Sequence, residues 1–335
     1  MKKTVWIIFL YLTVAAPLIG KDWIARVVDL TINAKFDRAE QLCLERLSDA
    51  DSSLQAYFYL SSVLNSKMTH YEDDRDRDRF LAVIDTIVRR TTRRLNSRDV
   101  ERNTRARLLF YRGSALGYRA FYSGKTGSYF SALKDGLKSI DDLERAVELD
   151  STLYDAYLGI GVYQYWRSTK LRFLLWTPFV DDLRLTGIEN IQKAIDHSRH
   201  SRYMAMHQLI YILLNEKQFD RALGYAEEAV RKYPDSPFMR WAYAHALYKM
   251  HRNRAALKAY RAILNMIQSG SDSNQWHEVT CRVRMAEIYR RLKDWANCRS
   301  QLKVVLAFNP QQLPVVEQKE YRKARKLMRQ CAVRE

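Results

Sequence analysis

The stretch QFDRALGYAEEAVRKYPDS, residues 218 to 236, reads as an amphipathic helix ended by a turn, and RNRAALKAYRAILNMIQSG, residues 252 to 270, has small and large side chains in the same places. Ala222 and Ala256 are 34 residues apart, as are Ala226 and Tyr260, Ala229 and Ile263, and Val230 and Leu264. Upstream of the first stretch, SRYMAMHQLIYILLNEK at 201 to 217 carries Met206, Leu209, Ile210 and Leu213 on one helical stripe. Each stretch is thus the second helix of an antiparallel pair, and the pair repeats. Small residues are required where two backbones approach most closely, and a proline suits the turn that ends the second helix.

Counted from Tyr203, Ile210 is eighth, Ala222 twentieth, Ala229 twenty-seventh and Pro234 thirty-second. This pattern resembles the 34-residue tetratricopeptide repeat. The unit at 237–270 places Tyr243, Ala244, Leu247, Ala256, Tyr260 and Ile263 in the family's slots, and the unit at 279–312 places Met285, Ala286, Tyr289, Cys298, Leu302, Val305 and Pro310 there. Near the N-terminus 20–53 fits through Trp23, Leu30, Phe36, Ala39 and Leu47, with Val27 where a smaller residue is usual.

The middle of the chain keeps the plan at a longer interval. Gly113 and Gly161 take the eighth place of successive units, Ala146 and Ala194 the twenty-seventh, and both pairs are 48 residues apart. Shared between two antiparallel helices, the 14 extra residues would lengthen each by about two turns, roughly 10 Å. The displaced turns would be SGKTGS at 123–128 and TPFVDD at 177–182, and the unit starting at Leu54 also looks enlarged. The expected architecture is an all-α superhelix of seven hairpins, at about 20–53, 54–105, 106–153, 154–202, 203–236, 237–278 and 279–312. A basic capping helix at 313–335 would close the array, as the exposed end of a solenoid requires.

Composition agrees. Six Pro and 11 Gly are few among 335 residues, and Ala, Leu, Arg, Lys, Glu and Gln are common, residues that lose little freedom in a helix. Hydrophobic residues at 47% and charged residues at 28% exclude a disordered chain. The start, MKK followed by 17 uncharged residues ending at Gly20, has the layout of a secretory signal. Residues 1–20 are expected to be a signal peptide or an N-terminal anchor, which makes the chain exported and periplasmic or envelope-associated, as in exported bacterial proteins of this repeat type. Without Lys2 and Lys3 the chain holds 54 basic against 38 acidic residues. That excess attracts a membrane surface, an anionic envelope polymer or an acidic protein. Cys43, Cys281, Cys298 and Cys331 form no metal-ligand pattern, and no pairing follows from their spacing.

No P-loop, GxSxG, HExxH or dinucleotide fingerprint occurs. A protein without enzymatic activity, cofactor or metal is expected. His197 and His200, with His207 beyond, have only Asp196 beside them and read as surface and groove histidines.

The resemblance implies where a ligand would lie. In this family the first helix of each hairpin lines the concave groove, and its groove places correspond here to Tyr118, then Tyr165 and Trp166, then His207, Tyr211 and Asn215, then Trp241, His245 and Tyr248, and finally Glu287, Arg290 and Arg291. Aromatics leading into a positive end suit a protein or peptide segment of acidic character. Tyr118, Tyr165 and Trp166 could equally fill space between long hairpins. The family's chaperone-binding subclass holds a terminal carboxylate through Lys and Asn at places five and nine. His207 with Tyr211 and Trp241 with His245 stand there instead, so that role is not implied.

Two further segments stand out. KLRFLLWTPFV at 170–180 puts Phe173, Leu175, Trp176 and Phe179 near a hairpin tip, with Arg167, Lys170 and Arg172 behind. It either folds against the neighbouring long hairpin or contacts a membrane or partner. The segment from Arg89 to Arg107 has eight Arg, but spread over most sides of a helix, so a solvated face is expected and nucleic acid is not. Oligomeric state is left open.

Overall fold

The protein is described here by a computed structural model covering residues 23–49, 53–174, 176, 181–270, 274 and 276–332. Residues 1–20 lie outside that range. Among the described residues there are fifteen α-helices and no strand. The first hairpin pairs α1 (Trp23–Ile32) with α2 (Phe36–Glu45), and the second α3 (Ser53–Tyr71) with α4 (Arg77–Leu95). The third pairs α5 (Arg102–Lys125) with α6 (Tyr129–Leu149), and the fourth α7 (Tyr154–Lys170) with α8 (Arg184–His197). The fifth is α9 (Arg202–Asn215) with α10 (Phe219–Lys232), the sixth α11 (Pro237–Lys249) with α12 (Asn253–Ser269), and the seventh α13 (His277–Arg291) with α14 (Trp295–Leu306). A last helix, α15 (Val315–Ala332), packs on both helices of the seventh hairpin.

The repeated small residues are the seam of the array. Ala222, Ala226, Ala229, Ala256 and Tyr260 are fully buried and Ile263 nearly so. In the fourth hairpin two glycines meet. A Cβ added to Gly161 would stand 2.4 Å from the Gly187 carbonyl oxygen and 2.9 Å from the Ile191 amide nitrogen. Only a residue without a side chain lets α7 and α8 touch there. Helix α3 packs on α5, α5 on α7, α7 on α9 and α9 on α11, whereas the even-numbered helices make no comparable contact with one another. The odd helices therefore form the inner, concave wall.

The third hairpin is lengthened as the interval suggests, with 24 residues in α5 and 21 in α6 against 14 in each of α9 and α10. The fourth is not. Its helices have 17 and 14 residues, so most of the additional length goes into the connection at 171–183 rather than into two further turns of each helix. A single turn of 3-10 helix, Arg172–Leu174, interrupts that connection.

The array curls until its ends meet. The Tyr233 hydroxyl donates to Asp29, the Ser236 hydroxyl donates to the Ile32 carbonyl, and Asn274 Nδ2 donates to the His70 carbonyl at 2.7 Å. The Phe36 ring lies edge-on to Phe238 at 6.4 Å. The first two hairpins thus sit on the edge from which α11 and α13 start.

Candidate peptide-binding groove

Five of the expected groove residues form one ladder across the inner wall. The His207 ring stands edge-on to Tyr211 at 5.1 Å, and Tyr211 stacks with His245 at 5.9 Å. His245 stacks with Tyr248 at 6.1 Å, and the Arg291 guanidinium lies 4.2 Å from the Tyr248 ring centre. His207 and Tyr211 are one turn apart on α9, and Trp241 and His245 one turn apart on α11, so each pair shares a helical face. Burial holds the His207 imidazole down to about 4, and burial with Lys249 and Arg284 nearby does the same to His245. Burial pushes the Tyr211 hydroxyl up to about 12. At neutral pH the ladder is therefore a row of uncharged rings ending between two guanidiniums, those of Arg284 and Arg291.

Trp241 extends the ladder toward the closing edge. It is half-buried and lies 5.7 Å from the His277 ring. Together with Phe36, Tyr71, Ile263 and Ile267 it lines a cavity of about 470 Å³ between the first two hairpins and α11 to α13.

Other expected residues are placed differently. Tyr118 is half-buried on the wall between α3 and α5, its hydroxyl donating to Ser62 Oγ at 3.3 Å and its ring stacked on Phe58. Tyr165 does not line the groove. Its ring is fully buried at the crossing near Gly187, and its hydroxyl donates to Glu216 Oε1 at 2.8 Å while accepting from Asn215 Nδ2 at 2.6 Å. Asn215 is thereby occupied in holding Tyr165. Trp166 is half-buried, edge-on to Tyr165 at 5.0 Å. Tyr248 is almost covered, since its hydroxyl donates to Glu287 Oε2 at 3.0 Å and two arginines flank its ring.

At the positive end of the expected groove, Glu287 is paired by the chain itself, and Arg290 and Arg291 take no part in those ion pairs. Helix α15 lies along α13 and brings Glu320 to within 2.6 Å of Arg284, and Lys323 to within 2.6 Å of Glu287. Glu287 also pairs with Arg284 at 2.8 Å, and Arg291 donates to the Tyr248 carbonyl. Arg290 is exposed. Nothing in the spacing of α13 announced these partners, because two of them come from the terminal helix.

At the fourth hairpin's connection the described residues do not fold against a neighbour. Trp176 is 83% exposed and Phe173 is also exposed, while Leu175 and Phe179 lie outside the described residues. Earlier in the chain, the tip of the third hairpin carries a comparable stripe that sequence reading missed. Tyr129, Leu133 and Leu137 recur at helical spacing on α6 with Phe130 beside them, all exposed, Phe130 at 82%. A count of exposed apolar positions at that spacing would have found it. No described helix is long and apolar enough to cross a membrane.

The arginine-rich segment is partly structural. Arg102 donates to the Leu149 and Glu148 carbonyls, Arg105 to those of Leu95 and Ser97, and Arg90 lies over the Tyr57 ring. His197 packs on Tyr154, His200 on Tyr59 and His207 on Tyr211, and the three do not converge on a common point.

Comparison with known proteins bears on the fold. No family model matches the chain, and no curated protein matches it. Among solved structures, the Cut9–Hcn1 hetero-tetramer of the APC/C aligns with a TM-score of 0.55 and 10% identity over 92% of this chain and 55% of that one. The fold is a tetratricopeptide-repeat solenoid. The C-terminal part of a repeat protein of this type from Cytophaga hutchinsonii covers 88% of the chain at 16% identity and a TM-score of 0.45. Another from Parabacteroides merdae covers 90% at 11% identity and a TM-score of 0.43. At such identities the solenoid is what the chain has in common with these proteins.

Proposed function

We infer that the protein is a non-enzymatic scaffold that holds a segment of another polypeptide against its inner wall. The observation that carries this reading is the ladder from His207 to Arg291 with the Trp241 cavity at its side. Rigid rings supply contact area at small entropic cost, and a cavity of about 470 Å³ accepts one or two apolar side chains. A segment with acidic side chains near its apolar anchor suits the exposed Arg290 and a net charge of +18. The uncharged N-terminal run supports export to the cell envelope. The test is a pull-down from an envelope fraction with wild type and a Trp241→Ala, His245→Ala double variant. Loss of one or more partners supports the groove, and an unchanged partner set rejects it.

A second reading, attachment to an anionic membrane surface, is favoured by the exposed aromatics at the two hairpin tips. Phe173 and Trp176 are accompanied by exposed Lys170 and Arg172, and Phe130 and Leu133 by exposed Lys125 and Lys134. Apolar side chains ringed by cations suit the headgroup boundary. Flotation of residues 21–335 with phosphatidylglycerol vesicles, against a Phe130→Ser, Trp176→Ser variant, decides it: equal flotation of the two removes this reading.

A further inference from the structure

Where the superhelix closes, three side chains from distant parts of the chain converge. Glu72 follows the end of α3, His277 is the first residue of α13, and Glu317 lies in the first turn of α15. One donor atom of each falls within 4.8 Å of the other two. Among the described residues this is the set of three with metal-ligating geometry.

The group is deeply placed and incompletely bonded. Glu317 is 1% exposed, and Glu72 and His277 are half-buried. Glu317 Oε1 accepts from the Thr280 hydroxyl at 3.3 Å, and Glu317 Oε2 is buried with no hydrogen-bond partner among the described residues. The His277 ring is fixed between His70 at 5.6 Å and Trp241 at 5.7 Å, with its Nε2 3.8 Å from Glu72 Oε1. That separation is too long for a hydrogen bond. It is close to what an intervening ion needs, because ligand bonds of about 2.0–2.2 Å in a tetrahedral site put the donor atoms roughly 3.3 Å apart.

Two neighbouring carboxylates withdrawn from water require a compensating cation or a proton. A proton can join the two carboxyls, but it does not engage the imidazole nitrogen that faces them. A metal ion engages all three.

We propose that Glu72, His277 and Glu317 bind a divalent transition-metal ion, with zinc the best match, which clasps the end of the second hairpin to the start of the seventh hairpin and the terminal helix. One imidazole and two carboxylates form a donor set for zinc, whereas calcium and magnesium take six or more oxygen ligands. Three protein ligands leave a fourth position for water. The clasp adjoins the groove: His277 lines the cavity and packs on Trp241, whereas Glu72 and Glu317 are not among the residues that line it.

The test uses the untagged chain from residue 21 to 335, stripped with a chelator and titrated with zinc chloride by calorimetry, then with cobalt(II) followed by visible absorption. One equivalent of zinc should bind, the melting temperature should rise with zinc and fall with chelator, and cobalt should give d–d bands without thiolate charge transfer. Glu317→Gln keeps the shape of the side chain and should weaken zinc at least about 100-fold, in line with the loss of a ligand. His277→Gln is the second variant should the first not fold. Absence of zinc uptake by the wild type overturns the proposal and leaves a shared proton. So does equal affinity in either folded variant, or a thiolate band, which would place the metal at Cys298 and Cys331, whose sulfurs are 2.7 Å apart.

Discussion

In the fifth hairpin the inner face of α10 is Ala222, Ala226 and Ala229, and the two 14-residue helices are covered by hairpins on either side. In the third hairpin the close approach is made by Gly113 against the Ser139 carbonyl, and the longer helices are joined by ion pairs. Arg112 grips the buried Asp142 through two bonds of 2.7 and 2.8 Å, and Arg119 grips Asp135 further out. Both arginines also reach the neighbouring α4, Arg112 donating to Thr92 and Arg119 to Asp85, so the pairs tie the third hairpin to the second as well. Past those pairs, at the tip, aromatic side chains are left in the open. The same two-helix plan is thus held by alanines in the fifth hairpin and by a glycine contact together with ion pairs in the third.

The comparison breaks most sharply at Asp142. Its carboxylate is fully buried and also receives Lys138 at 3.0 Å. Asp142→Ala leaves the Arg112 guanidinium without its partner and is expected to cost about 3–5 kcal/mol in urea unfolding. Asp135→Ala, nearer the tip, should cost about 1 kcal/mol or less and shrink further in high salt. Equal losses at the two positions would mean that the extended part of the hairpin is as tightly held as its base.

Acid probes the apolar hairpins instead. His207 and His245 titrate near 4 in the folded chain, whereas in the unfolded chain they do so near 6.5. Between those values the unfolded state binds more protons. The stability due to neutral burial is therefore complete above about pH 6.5 and is lost as pH falls toward 4, by at most about 3 kcal/mol per histidine. Urea melts at pH 7 and 4.5 should show a smaller pH loss for His207→Phe, His245→Phe than for wild type. An identical loss would place the acid sensitivity elsewhere.

Much of this was legible in the residues. A 34-residue interval of alanines marks the seam because backbone proximity permits little else, and Gly113 and Gly161 mark the longer units for the same reason. The interval at 48, however, counts residues without saying whether they are helical: it puts helix up to a turn at 177–182, whereas α7 ends at Lys170. The slot of Tyr165 fits groove and interior alike, and Gly187 on the facing helix, by letting the Tyr165 backbone and Cβ approach closely, goes with burial. The partners Glu320 and Lys323 come from the terminal helix, 36 residues beyond Arg284 and Glu287, and the convergence of Glu72, His277 and Glu317 depends on closure of the superhelix across more than two hundred residues. No local pattern carries that information.

A single chemical change with opposite outcomes sharpens the comparison at its smallest scale. Gly161 and Gly224 both lie inside helices, where exchange for alanine favours the helical backbone by roughly 0.5–1 kcal/mol. At Gly224 an added Cβ meets nothing within 4 Å, so Gly224→Ala should realise that gain. At Gly161 the Cβ would press on the carbonyl oxygen of Gly187 and the amide of Ile191, backbone atoms that cannot swing aside as a flexible side chain does. The helices must separate, and Gly161→Ala should cost about 2 kcal/mol despite its better helix propensity. Thermal unfolding of the two variants should therefore shift in opposite directions. A stabilised Gly161→Ala would show that α7 and α8 are not in backbone contact.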